Sequence, residues 1–346
     1  MSTGTEVFWI GGATTWGGTP APGMRALQFD AEGSAHLSDP VAIGPNPMSG
    51  AVSPCGSLFV AHEVDEGSLT RFPAPKQFLE GDVPLSVSAP TDGAAPTAVA
   101  LARLEDGTRL ALSANYSGGS LSVNPVGAGL EGPSLVVQYE GSGPVTDRQA
   151  SPHPHQVVVD GDLVLVPDLG TDQIHVHRLQ DLAAGDPAHR DISMPPGSGP
   201  RHLVVSDGCA IVACELSGLV RVVSVETGFP ITDASPTVRA SDAEPNLPSA
   251  IRLTKGGHVL VGNRGPNTIG VLKWEPLVES LQYVEEYLCG GSPRDFALTG
   301  DETRIVVANL PESNVTVMSF DDAAGTAVVT QTLTTGSPSS AIRQVL

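Results

Sequence analysis

Residues Ser292 to Phe320 read SPRDFALTGDETRIVVANLPESNVTVMSF. A proline opens a short apolar run, a Gly-Asp turn follows, a second apolar run ends on Asn309, and a third segment after a polar loop alternates apolar with polar residues. Short apolar runs joined by Gly/Asp turns are the signature of antiparallel hairpins. Five other segments carry the same order. They start at Asn46 (NPMSGAVSPCGSLFVAHEVDEGSLTRF), Ala95, His153 (HPHQVVVDGDLVLVPDLGTDQIHVHRL), Gly199 (GPRHLVVSDGCAIVACELSGLVRVVSV) and Leu247 (LPSAIRLTKGGHVLVGNRGPNTIGVLKW). The prolines at 47, 96, 154, 200, 248, 293 and 338 are 49, 58, 46, 48, 45 and 45 residues apart, enough chain for one four-stranded sheet each. The segments show two-residue alternation or short apolar runs rather than helical periodicity, so the fold class is all-β and helical solenoids are excluded.

Ring closure is legible at the ends. Only one strand, Ser339 to Leu346, follows the last proline, and the N-terminal strands near Val7 to Ile10 and Met24 to Phe29 lack a proline-led first strand. The two ends are therefore expected to share one blade, giving a seven-bladed β-propeller formed by residues 1–346 as a single domain.

The chain has 18 Lys and Arg against 38 Asp and Glu, a formal charge of −20, which argues against nucleic-acid binding. No apolar run approaches membrane-spanning length. Met1 to Glu6 is polar and lacks the basic start of a secretory leader, and Cys55, Cys209, Cys214 and Cys289 form no CxxC pair. A cytoplasmic protein with buried free thiols is the resulting expectation. Its acidic shell repels anions at long range, so a site for an anionic substrate needs a local group of cations.

In such a blade the start of the first strand and the end of the second meet at one mouth of the central channel. The residues after the prolines are Met48, Thr97, His155, Arg201, Ser249 and Arg294. The second strands are read as ending on Glu63, Asn115, Asp168, Glu215, Asn263 and Asn309, which lie 16, 19, 14, 15, 15 and 16 residues after the prolines. Asn115, Asp168 and Asn309 either contact substrate or tie the blades together, since Asp and Asn readily bond nearby backbone. Arg201, His202, Arg264, Arg294, His153 and His155 fall at the same mouth. Arginine suits bidentate recognition of carboxylate or phosphate, and pairing with neighbouring acids is the structural alternative. The three lysines, Lys76, Lys255 and Lys273, lie elsewhere. His175 and His177 alternate in IHVH, but no Cys or carboxylate stands at ligand spacing and a third strand is expected to face solvent, so no metal is expected there. There is no GxSxG elbow, P-loop or strand-to-helix GxGxxG.

The segments HPHQVVVDGDLVLVPDLGTDQI, GSGPRHLVV, ACELSG, LVGNRGPNTIGVL and GGSPRDFALTGDETRIVVANLPESNVTV resemble the seven-bladed lactonase family, which includes propeller-type 6-phosphogluconolactonases and fungal carboxy-muconate cyclases. The resemblance runs from about Gly44 to the C-terminus, and GGATTWGG from Gly11 looks like a degraded opening strand. Resemblance to the cyclase branch implies a catalytic set of one His, two Arg and a Glu, matching His153 or His155, Arg201, Arg264 and Glu215. On that basis Glu215 or a histidine of HPH activates water, Arg201 and Arg264 stabilise the oxyanion or anchor a carboxylate, and Arg294 with His202 holds a phosphate or second acid group. The expected partner is a small anionic lactone or sugar acid, with no metal or organic cofactor. Muconate-type cyclisation and a non-catalytic propeller that binds a ligand or a protein are the alternative readings.

Overall fold

The second strands are mostly apolar because both of their faces are buried between neighbouring blades. In CAIVAC, Cys209–Cys214, the residues Ala210, Val212 and Cys214 pack toward the preceding blade, while Ile211 and Ala213 pack toward the following one. The same division recurs at Leu163–Asp168, where Val164 and Val166 face back and Leu165 faces forward. The core is accordingly a circle of apolar clusters, one at each contact between blades.

The computed structural model describes residues 6–345 apart from 81, 83–84, 233 and 240–244. The strands described form seven four-stranded antiparallel sheets. The polar opening residues 1–5 and the final residue 346 lie outside the described residues. Among those described, no helix is long and apolar enough to cross a membrane. Six sheets follow chain order, and the seventh pairs the C-terminal strand Pro338–Val345 with Glu6–Gly12, then Arg25–Phe29 and Ala35–Leu37. The N-terminal segment thus lacks a first strand because the C-terminus supplies it. Phe8 pairs with Arg343 and Ile10 with Ala341, a seam that removes the open edge of the array.

The prolines do more than mark the repeat. Strand register shifts directly after Pro47, Pro96, Pro200, Pro248 and Pro293. A bulge inserts an unpaired residue and re-aims its side chain. Here it directs the residue after the proline toward the channel or the adjacent blade. Thr97 Oγ1 donates to His155 O at 3.2 Å, Ser249 Oγ to Pro293 O at 2.6 Å, and Ser339 Oγ to Met48 O at 2.5 Å, each tying one blade to the next. Ser249→Ala is expected to cost about 1 kcal/mol in urea unfolding, the usual net worth of such a bond.

The cysteines are free thiols. Cys209, Cys214 and Cys289 are buried as expected, but Cys55 is exposed in the turn Ser53–Ser57, where hydrogen bonds from Ser53 and Ser57 lower its pKa to about 7.

Candidate active site at the channel mouth

The pairing partners of the prolines are His62, Asn115, Asp168, Cys214, Asn263 and Asn309. Glu63 and Glu215, read from sequence as equivalent to the asparagines, therefore lie one residue beyond the paired position. Side chains alternate along a strand, so that single step changes their direction. At the paired position the side chains turn into their own blades. Asn115 donates to Ser120 and Ser122 at 3.0 and 2.8 Å, and Asn309 to Asn314 and Thr316 at 2.9 and 2.7 Å. Asp168 accepts from the backbone of His153 and Gly170 at 2.6 and 2.8 Å and faces His175 at 3.2 Å. All three are fully buried. Of the two sequence readings, these contacts match blade-tying, and the structure does not bring Asn115, Asp168 or Asn309 into the channel.

Glu215 and Glu63 behave differently. Glu215 is buried at the centre of three arginines. Arg148 Nη2 lies 2.6 Å from Oε1, while Arg201 Nε and Arg264 Nη2 lie 3.1 and 2.5 Å from Oε2. Burial acts to raise the carboxyl pKa, but the charges of Arg264, Arg201 and Arg148 outweigh it and hold the group at about 2. Glu63 has looser company: Arg294 Nη2 stands 3.5 Å from its Oε2. Here burial outweighs the attraction of Arg294 and Arg201, so its pKa is raised above the ordinary 4.5.

Glu63, His155, Arg201, His202 and Arg294 border a cavity of about 30 Å³ within the channel, a volume that suits one or two water molecules. Five buried polar atoms there have no hydrogen-bond partner among the described residues: Glu63 Oε2, His155 Nδ1, Arg201 Nε and Nη1, and His202 Nδ1. Of the HPH pair, His155 is the one that borders the cavity. His153 lies flat on Tyr116 with ring centroids 4.4 Å apart, and its Nδ1 is 2.9 Å from Tyr116 O. Burial, together with the charges of Arg201 and its neighbours, pushes the pKa of His155 and His202 well below 6.5, so both are neutral imidazoles at neutral pH. His202 sits deeper than expected; it also lines a cavity of about 440 Å³ that includes Arg252 and Lys255.

Two contributors were invisible to the repeat. Arg148 arrives from the connection before HPH, the interval that runs 58 residues between prolines instead of 45 to 49. Gln149, fully buried, anchors that loop by donating to Leu169 O at 2.8 Å. The surplus length was the available signal. Trp16 comes from the loop after Gly12, which is held by hydrogen bonds from the backbone of Thr14 and Thr15 to Asn46 Oδ1. Its ring lies 5.6 Å from the Arg294 guanidinium, a cation–π distance.

Comparison with known proteins agrees with this architecture. The family model described as "Lactonase, 7-bladed beta-propeller" matches residues 7–342. The solved periplasmic gluconolactonase of Pseudomonas aeruginosa is 29% identical with a TM-score of 0.84, over 99% of each chain; its description places that relative outside the cytoplasm. A 6-phosphogluconolactonase of Yersinia pestis (strain Pestoides F) is 24% identical over 300 residues, which is 83% of this chain and 81% of that one. A protein of Arthroderma benhamiae named "Probable 6-phosphogluconolactonase" is 39% identical over 102 residues, 27% of this chain and only 25% of that relative's length. With a family match over nearly its whole length and seven blades closed by joined termini, the chain belongs to the lactonase family of seven-bladed β-propellers.

Proposed function

We propose that the protein hydrolyses a small anionic sugar lactone at this mouth, with 6-phosphogluconolactone as the leading substrate. The carrying observation is a local surplus of positive charge. Among the described residues, the ion pairs of Arg148, Arg201, Arg264 and Arg294 are all made with Glu63 and Glu215, in a chain whose formal charge is −20, and the buried Arg201 keeps an unpartnered Nη1. A buried donor of this kind awaits an anionic or carbonyl oxygen. The name of the Yersinia relative points to a phosphorylated sugar lactone, and that of the Pseudomonas relative to a sugar lactone.

In this reading Glu63 removes a proton from water as the water oxygen bonds to the lactone carbonyl carbon. Arg201 stabilises the oxyanion, assisted by the neutral His155. The tetrahedral intermediate collapses with cleavage of the ring C–O bond. The departing oxygen takes the proton back from Glu63, leaving an open hydroxy acid. Arg264 and Arg294, with Arg148, hold the substrate's phosphate or carboxylate, and Trp16 covers Arg294 from the solvent side. Glu215 is the poorer base of the two acids, because both its oxygens are occupied by arginines and its pKa is about 2. Its role is to hold the guanidinium groups in place.

The test is hydrolysis of freshly prepared 6-phosphogluconolactone against the spontaneous rate. Arg201→Ala is expected to lose roughly a hundredfold or more in turnover, the usual cost of one oxyanion donor. Unphosphorylated gluconolactone is expected to show a higher KM, since it offers the outer arginines no phosphate to hold. Full activity in Arg201→Ala would overturn the assignment.

A further inference from the structure

The third blade carries a second cluster of chemistry-bearing side chains, away from the channel mouth. His175 and His177 were expected to face solvent, yet both are buried, and the partners missing at sequence spacing arrive from the fourth strand. Across the pair Gln173–Arg178 and His189–Ser193, His175 stands opposite Asp191 and His177 opposite His189. Cross-strand neighbours of this kind bring side chains within contact range.

His175 is oriented on every side. Its ring stacks on Tyr139 at 3.8 Å and 10°. Its Nε2 faces Asp168 Oδ2 at 3.2 Å, while Asp168 Oδ1 is fixed by the backbone N–H groups of His153 and Gly170. Its Nδ1 faces Asp191 Oδ1 at 2.7 Å, and His189 Nε2 lies 3.7 Å from that same oxygen. One donor atom each from His175, His189 and Asp191 falls within 4.8 Å of the others. Three ligands at metal distances of about 2.0–2.2 Å lie about 3.3 Å apart in a tetrahedron, so small side-chain adjustments suffice. His177 is not available as a ligand: Tyr139 Oη lies 2.8 Å from its Nε2 and Ala188 O 3.2 Å from its Nδ1.

We propose that His175 Nδ1, His189 Nε2 and Asp191 form a binding site for a divalent transition-metal ion of the zinc type, with the fully buried Asp168 orienting His175 from behind. The ligand His with a carboxylate on its other ring nitrogen is the arrangement that fixes tautomer and raises ligand basicity at metal centres. Asp168 and Asp191 supply two negative charges to balance the ion. The partly exposed His189 and Asp191 leave a further coordination position open to solvent. The ion would clasp the outer strand of the blade to its buried third strand, contrary to the expectation that no metal binds here.

The experiment is titration of the chelator-treated full chain with Zn²⁺ by calorimetry, with zinc-edge X-ray absorption on the product. One ion per chain is expected, with two imidazole nitrogens and a carboxylate in its coordination shell. His189→Ala and Asp191→Asn, both at the exposed edge of the blade, are each expected to weaken binding at least tenfold. Two substitutions elsewhere serve as comparators: His36→Ala, a surface histidine paired with Asp30, and Cys55→Ser, the exposed thiol. Both should leave affinity unchanged. Absence of stoichiometric binding, sulfur in the coordination shell, loss on Cys55→Ser, or affinity unaffected by His189→Ala and Asp191→Asn would each overturn the proposal. Lactone turnover is not the readout, so this result stands apart from that of the active-site assay.

Discussion

Glu63→Gln is expected to lower kcat/KM for the lactone by about a hundredfold to ten-thousandfold, the range a positioned general base contributes. The substitution keeps the size of the side chain and its place beside Arg294 but removes the proton acceptor. Glu63 must be ionised to act, and burial raises its pKa above 4.5 against the pull of Arg294 and Arg201. Activity of the unmodified protein should therefore rise with pH through that elevated value and level off above it. In Glu63→Gln the acid limb should disappear together with most of the rate. His155 and His202 do not complicate this profile near neutrality, because both are already neutral there. Should Glu63→Gln keep the full rate and the acid limb, the base lies elsewhere, and Glu215 becomes the first residue to re-examine.

Glu215→Ala should be the most destabilising change at the mouth, costing about 3–5 kcal/mol, the typical penalty for removing one partner from a buried ionic group. Arg201 and Arg264 are left to repel each other with no carboxylate between them, and only the half-exposed Arg148 can turn to solvent. The pH dependence follows from the same contacts. A carboxyl depressed from 4.5 to about 2 contributes ~3 kcal/mol of stability. That contribution is fully present above pH 4.5 and is lost as pH falls from 4.5 toward 2. Urea unfolding at pH 7 and at pH 3 checks both points: Glu215→Gln should be less stable than the unmodified protein at pH 7, and the difference should narrow in acid. An unchanged difference at the two pH values would remove Glu215 from its role as ionic hub.

The proline-led repeat is legible because each blade needs the same local signals: a residue without an N–H at the inner strand's start, a tight turn, and a second strand apolar on both faces. Seven blades and the shared closing blade follow from counting those signals. The structure gathers Arg201, His155 and Arg294 at one cavity and sets Arg264 on Glu215, and their proximity is legible in the sequence because they lie immediately beside the repeat's own markers. Counting failed where spacing varied. Glu63 and Glu215 looked equivalent to Asn115, Asp168 and Asn309, but they stand one residue past the paired position.

The sequence by itself determined the all-β class, the period, the closure of the ring and the proline-flanking residues that crown it, since these depend on local propensity and on chain length between turns. Only the tertiary structure decided which polar side chains meet. A one-residue offset reverses the direction of a strand side chain and separates Glu63 and Glu215 from the blade-tying Asn115, Asp168 and Asn309. Arg148 reaches Glu215 across 67 residues of chain, and His175 finds Asp168 and Asp191 on the strands to either side. Contacts of that kind are set by sheet register and loop path, which no local pattern encodes.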